Sequence, residues 1–311
     1  VLLPLNDCEL VQALQLVESR GQELLPNAAG LLLLGRQEAL RRFVPTHEVA
    51  FQVLGPRDNV MANEFFYDPL LKTMDAVDQR LAARIQEQEI QMGLIRLPVP
   101  DYAPSAVREA VNTAVLHRDY TRRGAVHIQF HPDHLFVTNP GGFLAGITLD
   151  NLLVHEPKPR NPRLAEVFTR IGLIEKTGRG IDKVYLGQLW YGRPIPDYTL
   201  SDSEGVRLVL RGGPTSLEFA AFVYEQDKAG SSLRLDELLV LNQLQHERRI
   251  DAAIVGRLTQ RGEAHAQAVL EQLAERGLIE PRGNGHGRVY QLSAVIYRRL
   301  GARADHGRRL D

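Results

Sequence analysis

A layered α/β body followed by a smaller α+β unit is the architecture this sequence predicts. Three observations carry it. Strand-like and helix-like segments alternate through the first two thirds of the chain, as a sandwich of helices on a sheet requires. Gly212-Gly213-Pro214 then forms a linker-like break, and beyond it the texture changes to helices closed by a hairpin. Finally, 311 residues of ordinary composition, 44% hydrophobic and 24% charged, suit two or three globular domains and exclude a disordered, collagen-like or coiled-coil chain.

The elements follow in order. Asp7 to Arg20 reads as a short amphipathic helix, with Leu10, Val11, Leu14 and Val17 at helical spacing. Ala28–Leu34 is a continuous apolar run and reads as a strand buried on both faces. Glu48–Leu54 is a second strand, Pro69–Gln88 a long helix, and Ile90–Leu97 a short strand. Pro104 suits a first helical position, and Val107, Ala110, Val111 and Ala114 give the helix to His117 its apolar face. Ala125–Phe130 and Leu135–Thr138 are strands joined by a tight turn. Pro157–Pro162 is a stiff loop and Leu164–Ile171 a short helix. Glu175–Gly180 is a turn opening onto a helix from Ile181, and Val206–Arg211 is a closing strand. Past the linker come helices at Leu235–His246, Asp251–Gln260 and Gly262–Arg276. Leu278-Ile279 then pairs with Val289–Leu292. Three helices and a β-wing are the winged helix-turn-helix order. The expected units are thus 1–100, packing on a core at 101–213, then 214–300, and a basic tail at 301–311.

Charge narrows the partners. The 37 basic and 38 acidic residues nearly cancel, so no global field draws the chain to nucleic acid or membrane. Only five of the 37 are Lys, and the 32 Arg are spread evenly along the chain. From Arg276 onward eight Arg oppose three acidic residues, so the basic bias sits in wing and tail. Cys8 is the only cysteine and no apolar stretch approaches the roughly 20 residues of a membrane span, so a reducing, cytoplasmic setting is expected.

Three features could together hold a nucleotide. Glu109 lies on the Pro104–His117 helix with Asn112 and Thr113 about one turn later. Asn139-Pro140-Gly141-Gly142 follows a strand. Glu175-Lys176-Thr177-Gly178-Arg179-Gly180 precedes a helix. Glycines there let backbone N–H groups approach phosphate oxygens at a helix N-terminus, and Arg160, Lys176 and Arg179 can neutralise phosphate charge. Singly, each feature is also what an ordinary turn or polar helix face would show. His127, His131 and His134 lack a third well-spaced ligand for zinc, so no metal site is assigned. No P-loop is present, so the chain is not a helicase motor by itself.

Arg108-Glu109-Ala110 leading to His117-Arg118-Asp119-Tyr120, then Asn139-Pro140-Gly141, Arg160-Asn161-Pro162 and the Glu175–Gly180 run, resembles one group of bacterial proteins. These are transcriptional regulators, often labelled RecG-related helicases, that join a Schlafen/Alba-type N-terminal domain to a GHKL ATPase-like domain. The resemblance covers most of residues 1–300. It implies a Schlafen-like domain preceding Val1. It also implies a pocket for ATP with Glu109 as base and Gly141, Gly178 and Gly180 in its glycine boxes. Two departures stand out. The family's Mg²⁺-ligating Asn, four residues after the Glu, is Thr113 here, and Asn112 lies about 100° away around the helix. Thr is a poor ligand for a cation that demands near-octahedral geometry, and Asn139 replaces the expected Asp of the first glycine box. ATP binding is therefore expected, with Mg²⁺ binding and efficient hydrolysis in doubt.

For DNA, the expected contacts are Arg261, His265 and Gln267 on the third helix with Arg282, His286 and Arg288 on the wing, while Glu263 opposes tight groove insertion. A homo-oligomeric regulator is the expected function. A slow Mg-dependent ATPase using Glu109, and a pseudo-ATPase scaffold for protein assembly, are the alternatives.

Overall fold

A computed structural model describes residues 4–92, 94–175, 179–213, 216–283 and 288–300. Its centre is a five-stranded mixed sheet. The strands are β3 (Val49–Leu54), β4 (Val60–Phe66), β7 (Val126–Phe130), β8 (His134–Pro140) and β9 (Gly205–Arg211), in the order β4-β3-β7-β8-β9. Only β3 and β7 run parallel; the other neighbours are antiparallel. Along β8 burial alternates, with Leu135, Val137 and Asn139 inward, as period-two side chains on a half-covered sheet must. The protein is a mixed α/β fold, as its sequence predicts.

The N-terminal segment departs from expectation. Helix α1 (Asp7–Ala13) stops at Gln15, whose φ is 55°, and Val17–Arg20 is instead strand β1, paired with β2 (Glu23–Pro26) around Gly21. Ala28–Leu34 is not a strand but helix α2. A short apolar run fits a buried strand or a buried helix equally well by periodicity. Here the good helix formers Ala and Leu, and an Asn27 cap that accepts from the Gly30 N–H at 3.0 Å, decide for helix. Gly30 is required because a Cβ would strike the Leu16 carbonyl. Helix α3 (Gln37–Phe43) and strand β4 were not anticipated.

Helix α4 (Leu70–Ala82) ends short of Gln88, since the chain turns into the hairpin of β5 (Glu87–Met92) and β6 (Ile95–Pro100). Helix α5 (Pro104–His117) has the predicted bounds and packs on β7, β8 and α7 (Gly180–Leu189). The α5–α7 approach depends on Gly187, where a Cβ would meet Ala106 Cβ at 2.5 Å. Helix α6 (Pro162–Arg170) covers the expected short helix.

Helix α8 (Leu217–Lys228), also unanticipated, lies against β5 and β6. Helices α9 (Leu235–His246), α10 (Ala252–Thr259) and α11 (Glu263–Glu275) and the hairpin β10 (Ile279–Arg282) with β11 (Val289–Leu292) follow in the predicted order. Helix α12 (Ala294–Leu300) ends the described chain. α9 packs on α7, and Asn242 donates to the Arg193 carbonyl at 3.1 Å. No described helix is long and apolar enough to cross a membrane.

Candidate functional site

Helix α5 runs behind a cleft of about 330 Å³ that opens between α5, α7 and the 142–160 segment. Its apolar wall includes Phe143, Ile147, Leu152, Ile174 and Val206, and its polar groups include Glu109, Thr113 and Lys158. A concave apolar pocket with few convergent polar groups is the usual form of a small-molecule site.

Glu109 faces this cleft from α5 although it is buried. Burial pushes its carboxyl above the ordinary range; Lys183 on α7 opposes this and Glu175 reinforces it. Lys183 itself pairs with Glu175 at 2.7 Å. Gly180 makes room for the carboxylate, since a Cβ at that position would run into Glu109 Oε1. Tyr198, buried beside the same group, keeps its hydroxyl protonated well above its ordinary range because of burial first, then Tyr185 and Glu109. Lys158, Lys183 and Tyr198 were missed in the sequence. Lys183 had a weak signal, a cation one turn into the helix that follows a glycine turn.

The two polar neighbours of Glu109 part company. Thr113 lines the cleft. Asn112 does not: its Nδ2 donates to the Leu173 carbonyl at 2.8 Å, and the residue faces a second cavity toward α4. Asn112, expected from the sequence at the nucleotide site, is thus not part of the cleft; its amide ties α5 to the loop after α6. With Asn112 withdrawn, Thr113 and a carboxyl that burial favours in its protonated form are a poor set for Mg²⁺, which prefers ionised oxygen donors.

The Asn139–Gly142 turn forms the mouth. Asn139 is buried and lines the cleft. Gly141 has φ +92°, and a Cβ there would stand 2.8 Å from Asp119 Cβ and 3.3 Å from the Arg160 guanidinium. Gly142 has no space for a Cβ because the Asp202 carbonyl abuts it. The Gly141 N–H donates to Glu204 O at 2.7 Å, so this amide is not aimed at a ligand. Arg160 also differs from expectation. It lines the cleft, yet Nε donates to His117 O at 2.9 Å and Nη2 to Gly142 O at 2.5 Å. Its guanidinium mainly staples the mouth to the end of α5, and Asn161 caps the same end through the Leu116 and Arg118 carbonyls. Arg179 is the N-cap of α7 and stands outside the cleft lining. Lys176, Thr177 and Gly178 lie outside the described residues.

His117 sits at this edge of the cleft. Burial, with Arg160 and His155 adding to it, pushes its pKa down to about 4. An unfolded chain takes up the proton near pH 6.5 while the folded chain resists it until about 4. This contribution is therefore full above pH 6.5 and lost on acidification toward pH 4, about 3 kcal/mol in all. Denaturant melts between pH 7 and 4 should show His117→Gln with a shallower acid loss than the parent. Identical slopes would refute the burial of the imidazole.

The residues proposed for DNA are scattered in role. Arg261 is exposed. His265 is half-buried with Nε2 2.7 Å from Asp236 Oδ2 on α9. Gln267 donates to Tyr290 Oη at 3.1 Å and to Glu271 at 2.8 Å. Arg282 lies 3.3 Å from Glu280, and Arg288 stacks 5.4 Å from the Tyr290 ring centre. His286 lies outside the described residues. Thus Arg261, Arg282 and Arg288 remain available at the surface, whereas His265 and Gln267 hold the helical unit together.

With this geometry in view, comparison with known proteins adds a class. Residues 124–210 match the family model described as "Putative ATP-dependent DNA helicase recG C-terminal", so the chain contains an ATPase-like domain of the RecG-related kind. The crystal structure of the DIP2311 protein from Corynebacterium diphtheriae superposes with a TM-score of 0.78 at 25% identity. The match covers 96% of this chain and 60% of that one, so the chain spans well under the full length of its structural neighbour. No curated protein matches the chain.

Proposed function

We propose that this chain is a DNA-binding regulator that senses a nucleotide in the α5–α7 cleft. The observation that carries the reading is Glu109, buried in that cleft beneath Gly180, within a chain that contains an ATPase-like domain. The apolar wall suits a base, Lys158 lines the cleft, and Lys183 lies close enough to Glu109 to act on its carboxyl. Mg²⁺ has no part in this reading, because Asn112 is turned to Leu173. Residues 214–300 form a winged helix whose Arg261, Arg282 and Arg288 meet phosphates, and two copies set the spacing on DNA.

One observation favours the slow ATPase as the second reading. Burial raises the proton affinity of the Glu109 carboxyl, which strengthens it as a proton acceptor. Calorimetry with a non-hydrolysable ATP analogue, in Mg²⁺ and in EDTA, together with a phosphate-release assay on ATP itself, separates the readings. The regulator predicts binding of similar strength in both buffers and turnover at background. Turnover that Glu109→Gln abolishes would replace it with the enzyme, and absence of binding would leave only a scaffold. In the same preparation, Arg282→Ala and Arg288→Ala should weaken duplex DNA binding across sequences and flatten its salt dependence.

A further inference from the structure

One side chain of the helical unit, Gln260, bonds directly to the wall of the cleft. Gln260 ends α10 in the left-handed region, φ 56° and ψ 32°, a conformation that residues with a Cβ adopt sparingly. From that turn its amide reaches the body twice. Oε1 accepts from the Leu153 N–H at 2.7 Å, and Nε2 donates to the Leu149 carbonyl at 2.8 Å. Both bonds have good length.

Leu149 and Leu153 belong to the 144–160 wall, which presents Leu144, Ile147, Leu152, His155, Lys158 and Arg160 to the cleft. The segment is knit internally. Asn151 accepts from Thr148 N and donates to Gly146 O, each at 2.8 Å, and His155 N donates to Asn151 O at 2.9 Å. Gln260 holds this knit segment at two backbone groups four residues apart, Leu149 O and Leu153 N. The other end of the grip is the turn between α10 and α11, directly before Arg261.

We propose that Gln260 is a positioning residue for the cleft, holding the 144–160 wall so that ligand occupancy and the setting of the α10–α11 turn are coupled. The inference rests on the cleft being a nucleotide site. Coupling of this kind is reciprocal: whatever the ligand does to the turn, the turn does to the ligand's affinity.

The test combines calorimetry with a non-hydrolysable ATP analogue and amide hydrogen exchange on the whole chain. In the parent, the analogue should slow exchange at residues 258–262 as well as at Leu153. In Gln260→Ala the Leu153 amide should exchange faster, the analogue's Kd should rise about three- to tenfold, and slowing at 258–262 should vanish. Gln260→Asn serves as the second variant: it tolerates the left-handed backbone but is one methylene shorter, so it should show the same losses with the turn intact. Equal Kd and equal protection in parent and Asn variant would overturn the coupling while leaving the nucleotide site standing. Failure of the analogue to bind the parent would overturn both.

Discussion

Replacing Arg118 by Met is expected to destabilise the protein by about 4 kcal/mol, the largest stability loss from any single substitution considered above. The side chain is almost wholly buried at 1% exposure. Its guanidinium donates to four carbonyls: Thr46, Asp119 at 3.2 Å, Arg122 at 3.3 Å and Gly124 at 2.7 Å. It also stacks 4.8 Å from the Tyr120 ring centre, and Tyr120 Oη in turn donates to Val115 O at 3.0 Å. Met fills much of the volume but takes this donor from the Thr46, Arg122 and Gly124 carbonyls, while Asp119 O keeps the Arg122 N–H, at about 1–3 kcal/mol for each that finds no water. Lys would not rescue, because one ammonium cannot reproduce the planar fork. Domains are stable by only about 5–15 kcal/mol, so the denaturant midpoint should fall far enough to read directly. A midpoint within error of the parent would show that water reaches this cluster. The consequence extends to the cleft, since Arg118 joins the end of α5 to the segments entering β3 and β7, and α5 carries Glu109 and Thr113.

Gly180→Ala is expected to act in the opposite sense, with little loss of stability and a large loss at the cleft. The added Cβ meets the tip of the Glu109 side chain rather than backbone. A carboxylate at the end of a flexible chain can swing aside, so the melting temperature should move by a few degrees at most. The displaced Glu109 would then reach into the space a ligand needs, or leave the position from which it contacts one. Affinity for an ATP analogue should drop about tenfold or more, equivalent to about 1.4 kcal/mol, and fall with or below that of Glu109→Gln. Parent-like affinity in the Ala variant would remove Glu109 from the site. Measured together, the two substitutions separate a residue that holds the fold from one that shapes the cleft.

The motif that joins them shows what tertiary context adds. His117-Arg118-Asp119-Tyr120 carries part of the family resemblance in the sequence; in the fold Arg118, Asp119 and Tyr120 organise backbone, and of the four His117 lines the cleft. Asp119 accepts from the Thr121 N–H and hydroxyl and lies 3.4 Å from Arg122. Arg160 has the right chemistry for a phosphate, but its donors reach carbonyls on two segments.

What the sequence determined by itself was the alternation of elements and the identity of the helix that bears the site. Pro104 and the Val107–Ala114 stripe defined α5 to the residue, and the sequence bounds of α9 and α11 fell within a residue of those helices. These signals are local, each resting on side chains within a few turns of one another. The tertiary structure alone decided the rest. Ala28–Leu34 became a helix because Asn27 capped it and Leu16 lay close against Gly30. Asn112 left the cleft because a carbonyl 61 residues away, at Leu173, took its amide. Gly180 proved to be space for a carboxylate, and Gln260 a grip on a loop 107 residues earlier. Periodicity records which face of an element is buried; which partner awaits that face is set only when distant segments pack, and in this protein those partners determine what the cleft can hold.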